Sequence, residues 1–409
     1  MKLGFLTLDD VDVKGKRVLL RVDINSPLDK ETLEITDDTR IKEHSRTIKE
    51  LMDKGAKTII LAHQGQKGKW DFTPLAQHAS VLSQILGYKV TFVPSVIGPI
   101  VPEAINEIDE GDVIMLDNVR NLDDEAVNKS PEEHAESSIV KFLTPYADIF
   151  VNDAFSAAHR SHASIVGFTV TLPSYAGRVM ERELEALSRA TENPEKPCTY
   201  IIGGAKPKGS LDVIDHVLSS GIADHVLIGG VVAILFLHAH GVDVGSANLR
   251  ILEDTGFMKL VNKAEMLLRE HKDAIVLPQD VAVGKDGERL EVNTSDLPVE
   301  FPIRDIGSKT IEEYSNLLNS SSTVVINGPM GMYEVEAFEV GTREVFKAAS
   351  KCRGFTLVGG GHSSAAVKRF GLADSFSYVS SAGGALLNFL AGKKLPAVEA
   401  LRAAAKRHP

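Results

Sequence analysis

The sequence is poor in cysteine and tryptophan. Its 409 residues include two cysteines, Cys198 and Cys352, and a single tryptophan. Two cysteines form no disulfide framework, which excludes the small secreted domains that depend on disulfides and fits a reducing cytosol. We expect both cysteines to be buried as small hydrophobic side chains.

Long hydrophobic segments are also lacking. The longest apolar run, "VLIGGVVAILFL" at 226–237, is much shorter than the roughly 20 residues that a membrane-spanning helix needs. We interpret it as a buried strand that turns into a buried helix. Near the start of the chain, Asp9 and Asp10 interrupt the sequence before a signal-peptide core develops. These features predict a cytoplasmic protein with no membrane partner.

Basic charge is in deficit. The chain has 45 lysine and arginine residues against 56 aspartate and glutamate residues, a net charge of −11. Binding to nucleic acid or to an acidic membrane depends on a basic surface that neutralises phosphates. The charge therefore argues against nucleic acid partners, whereas a local basic pocket for a small anion remains compatible with it.

Short apolar runs recur along the whole chain. They lie at 17–23, 57–63, 89–93, 112–117 and 148–153, and then at 198–204, 225–230, 274–278, 323–328, 355–360 and 376–380. The runs do not alternate apolar and polar residues, which is typical of strands covered on both faces. Intervening segments such as 38–54 and 252–272 have the apolar spacing of helices.

This alternation of strands and helices predicts an α/β fold with parallel sheets. A chain of 409 residues exceeds one ordinary core, so we expect two domains. The two series of strands flank the charged segment 180–197, which we interpret as an amphipathic connecting helix.

Polar residues follow many of the runs, where ligands of parallel sheets bind. After the first series they are mostly arginine, histidine and asparagine, which suit a small, multiply anionic ligand: Asp23, Asn25, His63, Arg120, Asn152, His159 and Arg160. After the second series they are mostly glycines with one lysine, as in 203–206, 229–230, 327–331 and 359–363. Glycines allow the backbone to approach a larger, partly phosphorylated ligand closely.

Each of these motifs, taken alone, has an ordinary structural alternative. Asp23 and Asn25 in "RVDINSPL" are equally consistent with an Asx turn. Taken alone, Arg40 or Arg120 more often forms a surface ion pair, and Lys206 in "IIGGAKPKGS" is equally consistent with a solvated loop lysine. "GGGHSS" differs from the dinucleotide-binding G-x-G-x-x-G pattern at its last position. The order of the motifs along the chain is more informative than any one of them.

In that order, the chain resembles the phosphoglycerate kinase family nearly from end to end. The motifs are "RVDINSPL", "NDAFSAAHRSHAS", "GGAK", "DIGSKT", "INGPMGMYE", "GGGHS" and "SSAGGALLNFLAGKKLPAVEAL". "MLDNVRN", "AHQG" and the histidine of "GGGHS" are most similar to the archaeal branch of the family. The resemblance implies two Rossmann-like domains with parallel sheets that face each other across a cleft and are joined by a hinge. The implied N-terminal domain covers 1–175 and is joined by 395–409, an interdomain helix covers 176–197, and the C-terminal domain covers 198–394.

The resemblance also implies an activity and its ligands. Phosphoglycerate kinases transfer a phosphoryl group reversibly between 1,3-bisphosphoglycerate and ADP, giving 3-phosphoglycerate and ATP, in glycolysis and gluconeogenesis. The implied phosphoglycerate-binding residues are Asp23, Ile24, Asn25, Arg40, His63, Gln64, Gly65, Gln66, Arg120 and Arg160. The implied nucleotide-binding residues are Gly204, Lys206, Gly229, Gly307, Asn327, Glu334, Gly360, Gly361, His362 and Ser363.

The implied catalytic groups are Arg40, Lys206 and Gly383. No general base is required, because the acceptor is a carboxylate with a pKa of roughly 4 that is already ionised at neutral pH. Mg²⁺ is expected to enter with ATP or ADP, carried by the phosphates, and no protein residue is assigned to it. We expect a monomer or a homodimer.

Four positions depart from the common family pattern. Gln66 stands in place of an arginine, and Ser210 in place of a lysine for which Lys208 is a candidate substitute. Ala382 stands in place of the first glycine of a triplet, so its backbone must avoid a positive φ. His362 replaces an aspartate that helps to anchor magnesium, which prefers oxygen ligands. We expect His362 to bind a phosphate, while phosphates, water and Ser363 hold the metal.

Three other functions remain as alternatives. One is a different enzyme with two Rossmann-like domains, such as a nucleotide-sugar glycosyltransferase. Another is a non-catalytic two-lobed binding protein, and the third is a family member that has lost activity through these departures. Formation of ADP that depends on 3-phosphoglycerate distinguishes the kinase from all three.

Overall fold

The fold was analysed in a computed structural model, which describes residues 4–206, 209–285 and 287–407. The chain forms two compact units. The first unit runs to Glu185 and includes the residues from Lys394 onward, and the second is Ala186–Lys393.

A six-stranded parallel sheet forms the centre of the first unit. Its spatial order is β3-β4-β2-β1-β5-β6. The strands are β1 (Arg17–Arg21), β2 (Lys57–Leu61), β3 (Val90–Val93), β4 (Val113–Leu116), β5 (Ile149–Asn152) and β6 (Ser174–Ala176). The helices are α1 (Thr39–Asp53), α2 (Ala76–Leu86), α3 (Ile100–Glu107), α4 (Pro131–Ala135), α5 (Ser138–Leu143) and α6 (Phe168–Thr171), with α7 (Arg178–Thr191) beginning here and α16 (Pro396–Arg407) returning to it.

A second six-stranded parallel sheet forms the centre of the second unit, in the order β15-β14-β13-β7-β8-β9. Its strands are β7 (Cys198–Ile202), β8 (His225–Ile228), β9 (Ile275–Val276), β13 (Thr323–Asn327), β14 (Phe355–Gly359) and β15 (Tyr378–Val379). A separate antiparallel sheet has the order β11-β10-β12, with β10 (Asp280–Lys285), β11 (Glu288–Asn293) and β12 (Ile303–Ile306).

The helices of the second unit lie between these strands. They are α8 (Ser210–Ser219), α9 (Gly230–Ala239), α10 (Ser246–Asp254), α11 (Val261–Glu270), α12 (Ser308–Ser320), α13 (Val340–Ala349), α14 (Gly361–Arg369) and α15 (Gly384–Leu390). Within the described residues, no helix is both long and apolar enough to cross a membrane.

The predicted α/β class with two parallel sheets is confirmed, and most predicted strands lie where the apolar runs placed them. The run at 226–237 is a buried strand followed by a buried helix, as expected. The segment 252–272, which has helical spacing, is helical over most of its length but is divided at Gly256. Gly256 has φ +75°, a left-handed conformation that ends one helix before the next begins. Cys198 is buried as expected, but Cys352 is only partly buried.

Helix α1 illustrates how packing positions a functional side chain. Ile41, Ile48 and Leu51 are fully buried on one face of the helix, at the spacing of an amphipathic helix. This anchored face leaves Arg40, in the first helical turn, at its edge. Arg40 thereby reaches the carboxyl end of β1, where its Nη1 lies 3.3 Å from the Oδ2 of Asp23.

The start of α7 is held in place by an ion-pair network around Arg178. The guanidinium donates to both carboxylate oxygens of Glu50, with Nε–Oε2 at 2.8 Å and Nη2–Oε1 at 2.7 Å, and also contacts Asp9 and Glu181. This bidentate geometry is the strong form of an arginine–carboxylate contact. The hydrogen bonds from Arg178 outweigh partial burial and lower the pKa of Glu50 from its usual 4.5 to about 2.

We predict that Glu50→Gln lowers thermal stability in a pH-dependent way. Because the pKa of Glu50 is lower in the folded chain than in the unfolded chain, its contribution is fully present above about pH 5 and is lost as the pH falls from 4.5 toward 2. The difference in melting temperature between wild type and Glu50→Gln should therefore narrow on acidification, as followed by circular dichroism. A difference that stays constant between pH 7 and the acid range would contradict this account. Lys49 and Asp53 form an exposed ion pair on the same helix, so Asp53→Asn serves as the matched control with little effect.

Candidate functional site

Polar side chains gather at the carboxyl ends of β1, β2, β4 and β5 in the first unit. Asp23 follows β1 and is buried. Its Oδ2 accepts a hydrogen bond from the Ser156 hydroxyl and lies 3.3 Å from Nη1 of Arg40. Burial alone would raise the pKa of Asp23, but His63, Arg40 and Ser156 together hold it well below its usual value. Asp23 is therefore a carboxylate at neutral pH.

Asn25 and Gly65 connect two of the loops at this edge. The Gly65 N–H donates to Oδ1 of Asn25 at 2.8 Å, and the Gly65 carbonyl accepts from Arg120. The Asn25 carbonyl accepts from Arg40 at 3.3 Å. Gly65 has φ +63°, and a Cβ atom there would overlap the Asp71 carbonyl. Only glycine fits this junction, which brings Arg40 and Arg120 to the same site.

Three other predicted residues take different places. Ile24 is fully buried. The Gln64 side chain is buried as well, accepting from the Ser26 N–H at 2.8 Å and donating to the Ser26 carbonyl at 3.0 Å. Gln66 is exposed. Ligand contact by these three side chains stays a prediction, since the structure gives Ile24 and Gln64 supporting roles.

The site carries more positive charge than its carboxylates offset. Burial, and then repulsion from Arg160 and Arg21, lowers the pKa of Arg120 to about 10. Burial lowers the pKa of His63 well below its usual value. Asp23 alone would raise this pKa, whereas the charges of Arg21, Arg120 and Arg160 lower it further. Such surplus charge favours binding of a multiply charged anion.

Sequence reasoning missed Arg21 as a site residue. It belongs to β1 itself, whereas we looked for ligand-binding residues after the strands. Its side chain is 2% exposed, and its Nη2 lies 3.1 Å from Nδ1 of His63. An arginine inside an otherwise apolar strand could have indicated this role. A charge that is buried with the strand needs hydrogen-bond partners, and those partners lie at the site.

We predict that His162 stays uncharged throughout the physiological range. Burial, followed by the positive charge of Arg160, lowers its pKa to about 3. In an NMR titration, its imidazole should show no transition between about pH 5 and 8, and Arg160→Gln should raise its pKa. Arg46→Gln, which removes an exposed arginine of the same unit, is the control. A His162 transition near 6.5 in the wild type would refute the assignment.

In the second unit, three glycine-containing turns pack backbone against backbone. The Gly204 N–H donates to the Pro329 carbonyl at 2.9 Å, the Gly230 N–H donates to the Met330 carbonyl at 2.7 Å, and the Val231 N–H donates to the Gly204 carbonyl at 3.0 Å. Gly204 and Gly230 have positive φ angles of +83° and +58°. Side chains at Gly203 or Gly229 would overlap the turn at 329–330. The turns after β7, β8 and β13 therefore form one rigid edge.

A cavity of about 430 Å³ opens beside this edge. Its walls are mainly apolar, with Val231, Ile234, Val281, Ile306 and Met330 among them. Lys206, Glu334 and His362 provide polar groups in the same lining. The size and chemistry suit a flat base joined to a charged group.

The loop that leads into α14 lies at the end of β14. Gly360 has φ +86°, and a Cβ atom there would lie 3.2 Å from Oδ1 of Asn327. The Ser363 hydroxyl is fully buried and accepts a hydrogen bond from the Gly328 N–H at 2.7 Å. Ser363 thus ties two loops together, while Gly361 and His362 begin the helix, whose N–H groups favour anions.

His362 lies beside the glutamate of the cavity. Its Nδ1 is 3.8 Å from Oε1 of Glu334, and both side chains are more than half exposed. The Tyr333 ring packs edge-on, with ring centroids 6.4 Å apart. The histidine is therefore placed to contact the same ligand as Glu334.

The remaining predicted positions support the second unit in different ways. Gly307 packs against Asp280, whose carboxylate accepts from the Lys309 and Thr310 N–H groups at 3.0 and 2.8 Å and so caps α12. Gly229 lies in the packed edge described above. Gly383 precedes α15, with open space where a Cβ would lie.

Two of the departures also have defined places. Ser210 is buried at the start of α8, and its hydroxyl donates to the Lys206 carbonyl at 3.2 Å. Ala382 is buried and, as expected, avoids a positive φ, since Leu33 is the one non-glycine with positive φ among the described residues. Lys208, the suggested substitute for the missing lysine, lies outside the described residues.

Comparison with known proteins gives one consistent result. The family model described as phosphoglycerate kinase matches residues 8–393. Phosphoglycerate kinase 2 of Methanosarcina acetivorans is 49% identical over 402 residues, covering 98% of this chain and 96% of the relative. The phosphoglycerate kinase of Methanobacterium bryantii is 46% identical, with 98% of each chain covered. The crystal structure of phosphoglycerate kinase from Pyrococcus horikoshii matches with a TM-score of 0.91 and 39% identity, covering 98% of this chain and 100% of that one. The chain belongs to the phosphoglycerate kinase family.

Proposed function

We propose that the chain catalyses reversible phosphoryl transfer between 1,3-bisphosphoglycerate and ADP, which gives 3-phosphoglycerate and ATP. The observation that carries this proposal is the arginine cluster of the first unit, where burial and mutual repulsion lower the pKa of Arg120. A ligand with several negative charges relieves that repulsion. The family and the nucleotide-sized cavity of the second unit support the same activity.

Phosphoglycerate binds in the first unit in this proposal. Arg40, Arg120, Arg160 and His63 donate to its carboxylate and phosphate oxygens, because guanidinium groups bind such anions in a bidentate manner. Asp23, as a carboxylate, accepts from the substrate hydroxyl. Asn25 and Gly65 hold this edge together, and Ile24, Gln64 and Gln66 contact the ligand through the backbone of the same loops.

The nucleotide binds in the second unit. Its base occupies the apolar cavity, Glu334 accepts from the ribose hydroxyls, and Lys206 contacts the phosphates. The N–H groups of 360–363 at the start of α14 also donate to the phosphates. Asn327 lies against this turn, whereas Gly204, Gly229 and Gly307 shape the surrounding backbone.

Magnesium enters with the nucleotide in this proposal, carried by its phosphates. Within the described ranges, no group of three histidine, cysteine, aspartate or glutamate side chains is placed to hold a metal ion. The buried Ser363 hydroxyl accepts one hydrogen bond, from the Gly328 N–H, and its second lone pair remains for the metal or its water, as we expect. When bound to the phosphates, Mg²⁺ supplies positive charge that offsets theirs.

Catalysis then rests on positioning and charge. Arg40, beside the phosphoglycerate, and Lys206, beside the nucleotide, stabilise the charge on the transferring phosphoryl group. The Gly383 N–H, at the start of α15, adds a further donor. No side chain needs to accept a proton, since the carboxylate acceptor is already ionised. Hinge movement that brings the two bound ligands into line, and excludes water, completes the site. The enzyme acts in the cytoplasm, as a monomer or homodimer, in glycolysis or gluconeogenesis.

We predict that the chain forms ADP from MgATP only when 3-phosphoglycerate is present, with an auxiliary enzyme that consumes the acyl phosphate. Lys206→Met should lower kcat about 10²- to 10³-fold, which is the usual cost of losing one donor to the transferring charge. Lys351→Met removes an exposed lysine of the same unit and should leave the rate unchanged. Binding of both ligands without turnover would identify an inactive family member, and ADP formation without 3-phosphoglycerate would point to another acceptor.

We further predict that His362→Ala raises KM for MgATP several-fold while the dependence of the rate on free Mg²⁺ changes little. The reason is that imidazole contacts the nucleotide and is a poor magnesium ligand. Initial rates over a grid of ATP and Mg²⁺ concentrations separate the two effects. His240→Ala, at an exposed histidine that ends α9, is the control. A large loss of Mg²⁺ affinity at saturating nucleotide would assign the metal to His362.

A further inference from the structure

Glu125 is a buried carboxylate of the first unit that the proposed chemistry does not use. It is 1% exposed and lies in the loop after β4. Both of its oxygens contact one residue, since Oε1 accepts from the Ser164 hydroxyl at 2.6 Å and Oε2 from the Ser164 N–H at 2.8 Å. Burying a carboxylate costs free energy unless it is hydrogen-bonded or paired with a charge. The groups that Glu125 contacts therefore indicate what it does.

The Ser164 hydroxyl connects Glu125 to Arg21. Nε of Arg21 donates to Oγ of Ser164 at 2.8 Å, and all three side chains are buried. A guanidinium has only N–H donors, so Oγ must be the acceptor of this bond. The hydroxyl proton therefore points to Glu125, and the direction of both hydrogen bonds is determined.

Arg21 in turn determines the proton position on His63. Nη2 of Arg21 lies 3.1 Å from Nδ1 of His63. Because the guanidinium has no acceptor, Nδ1 must be unprotonated, and a neutral imidazole then carries its proton on Nε2. Within the described part of the chain, Nε2 has no hydrogen-bond partner, and it is therefore available to donate to an oxyanion.

We propose that Glu125 is a positioning residue for phosphoglycerate binding, which acts through Ser164 and Arg21 to hold His63 with its proton on Nε2. The proposal rests on the proposed function only for the identity of the oxyanion. Burial, and then the field of Arg160, disfavour the charge of Arg21, whereas Glu125, followed by Asp23, supplies opposing charge. Without this acceptor, the Ser164 hydroxyl is no longer fixed by Glu125, and Arg21 is held less firmly against Nδ1 of His63.

A purely structural role for Glu125 makes a different prediction. Its Oε2 also secures the backbone of Ser164, and a simple loop anchor would affect stability alone. Ser164→Ala separates the two roles, because it removes the hydroxyl link to Arg21 while the backbone N–H still reaches Glu125. Glu125→Gln removes the charge and replaces one acceptor oxygen with a donor group.

The first measurement is the tautomer of His63 by ¹H–¹⁵N NMR in the ligand-free protein, with His63→Gln for assignment. The wild type should carry the proton on Nε2. Both Ser164→Ala and Glu125→Gln should shift the population toward the Nδ1-protonated form. Asp124→Asn is the matched control, since Asp124 accepts from the N–H and hydroxyl of Ser138 in the same manner, at 2.7 Å each, without contacting Arg21.

The second measurement is steady-state kinetics. Both variants should raise KM for 3-phosphoglycerate about tenfold, the loss expected for one hydrogen bond to a charged group, while KM for MgATP stays unchanged. A rise in KM without a change in the His63 tautomer would show a structural role and overturn the proposal.

A wild-type His63 with its proton on Nδ1 would overturn the proposal even if neither variant folds. An unchanged tautomer in both folded variants would do the same. A wild type that fails to respond to 3-phosphoglycerate, with the Nε2 proton in place and lost in the variants, would refute the proposed substrate and leave the hydrogen-bond chain intact.

Discussion

The burial of Arg21 is the constraint on which the first unit depends. A guanidinium inside a parallel sheet is costly unless its nitrogens find acceptors. Ser164, the Val22 carbonyl and His63 each accept from one nitrogen of Arg21, and Glu125 accepts from Ser164 in turn. The positions of these residues in the candidate anion site therefore depend on the hydrogen bonds that stabilise the buried charge of Arg21.

The candidate site of the second unit is formed mainly by backbone groups and apolar side chains, whereas that of the first unit is formed by charged side chains. Its turns after β7, β8 and β13 contact one another directly, and the neighbouring cavity is mostly apolar. Both units contain a six-stranded parallel sheet, but the strand orders differ, and so do the groups that lie at the carboxyl edge. This contrast between side-chain donors and backbone donors matches the difference between a small polyanion and a nucleotide.

The sequence predicted the elements whose burial produces a recognisable pattern of apolar residues. Buried parallel strands appear as continuous apolar runs, so both large sheets were found, with β6 the one parallel strand overlooked. All three antiparallel strands were missed: β11 has no buried residue, β12 has two charged residues among its four, and β10 has only three consecutive apolar residues. Candidate site residues that follow strands could be named for the same reason, and their ligand contacts stay a prediction. Glu125 was missed because its role depends on contact with Ser164, which lies 39 positions away.

The packed glycine turns have a consequence for the entropy of binding. A flexible side chain that becomes fixed by a ligand costs about 0.5–1.5 kcal/mol, whereas backbone groups locked by neighbouring turns have little freedom left to lose. Gly204 and Gly230 are already held by hydrogen bonds of 2.9 and 2.7 Å before any ligand arrives. The edge formed by these turns is therefore pre-organised, and the affinity of a ligand bound there is expected to vary less with mutations that alter side-chain mobility than the affinity of a ligand bound at the arginine cluster.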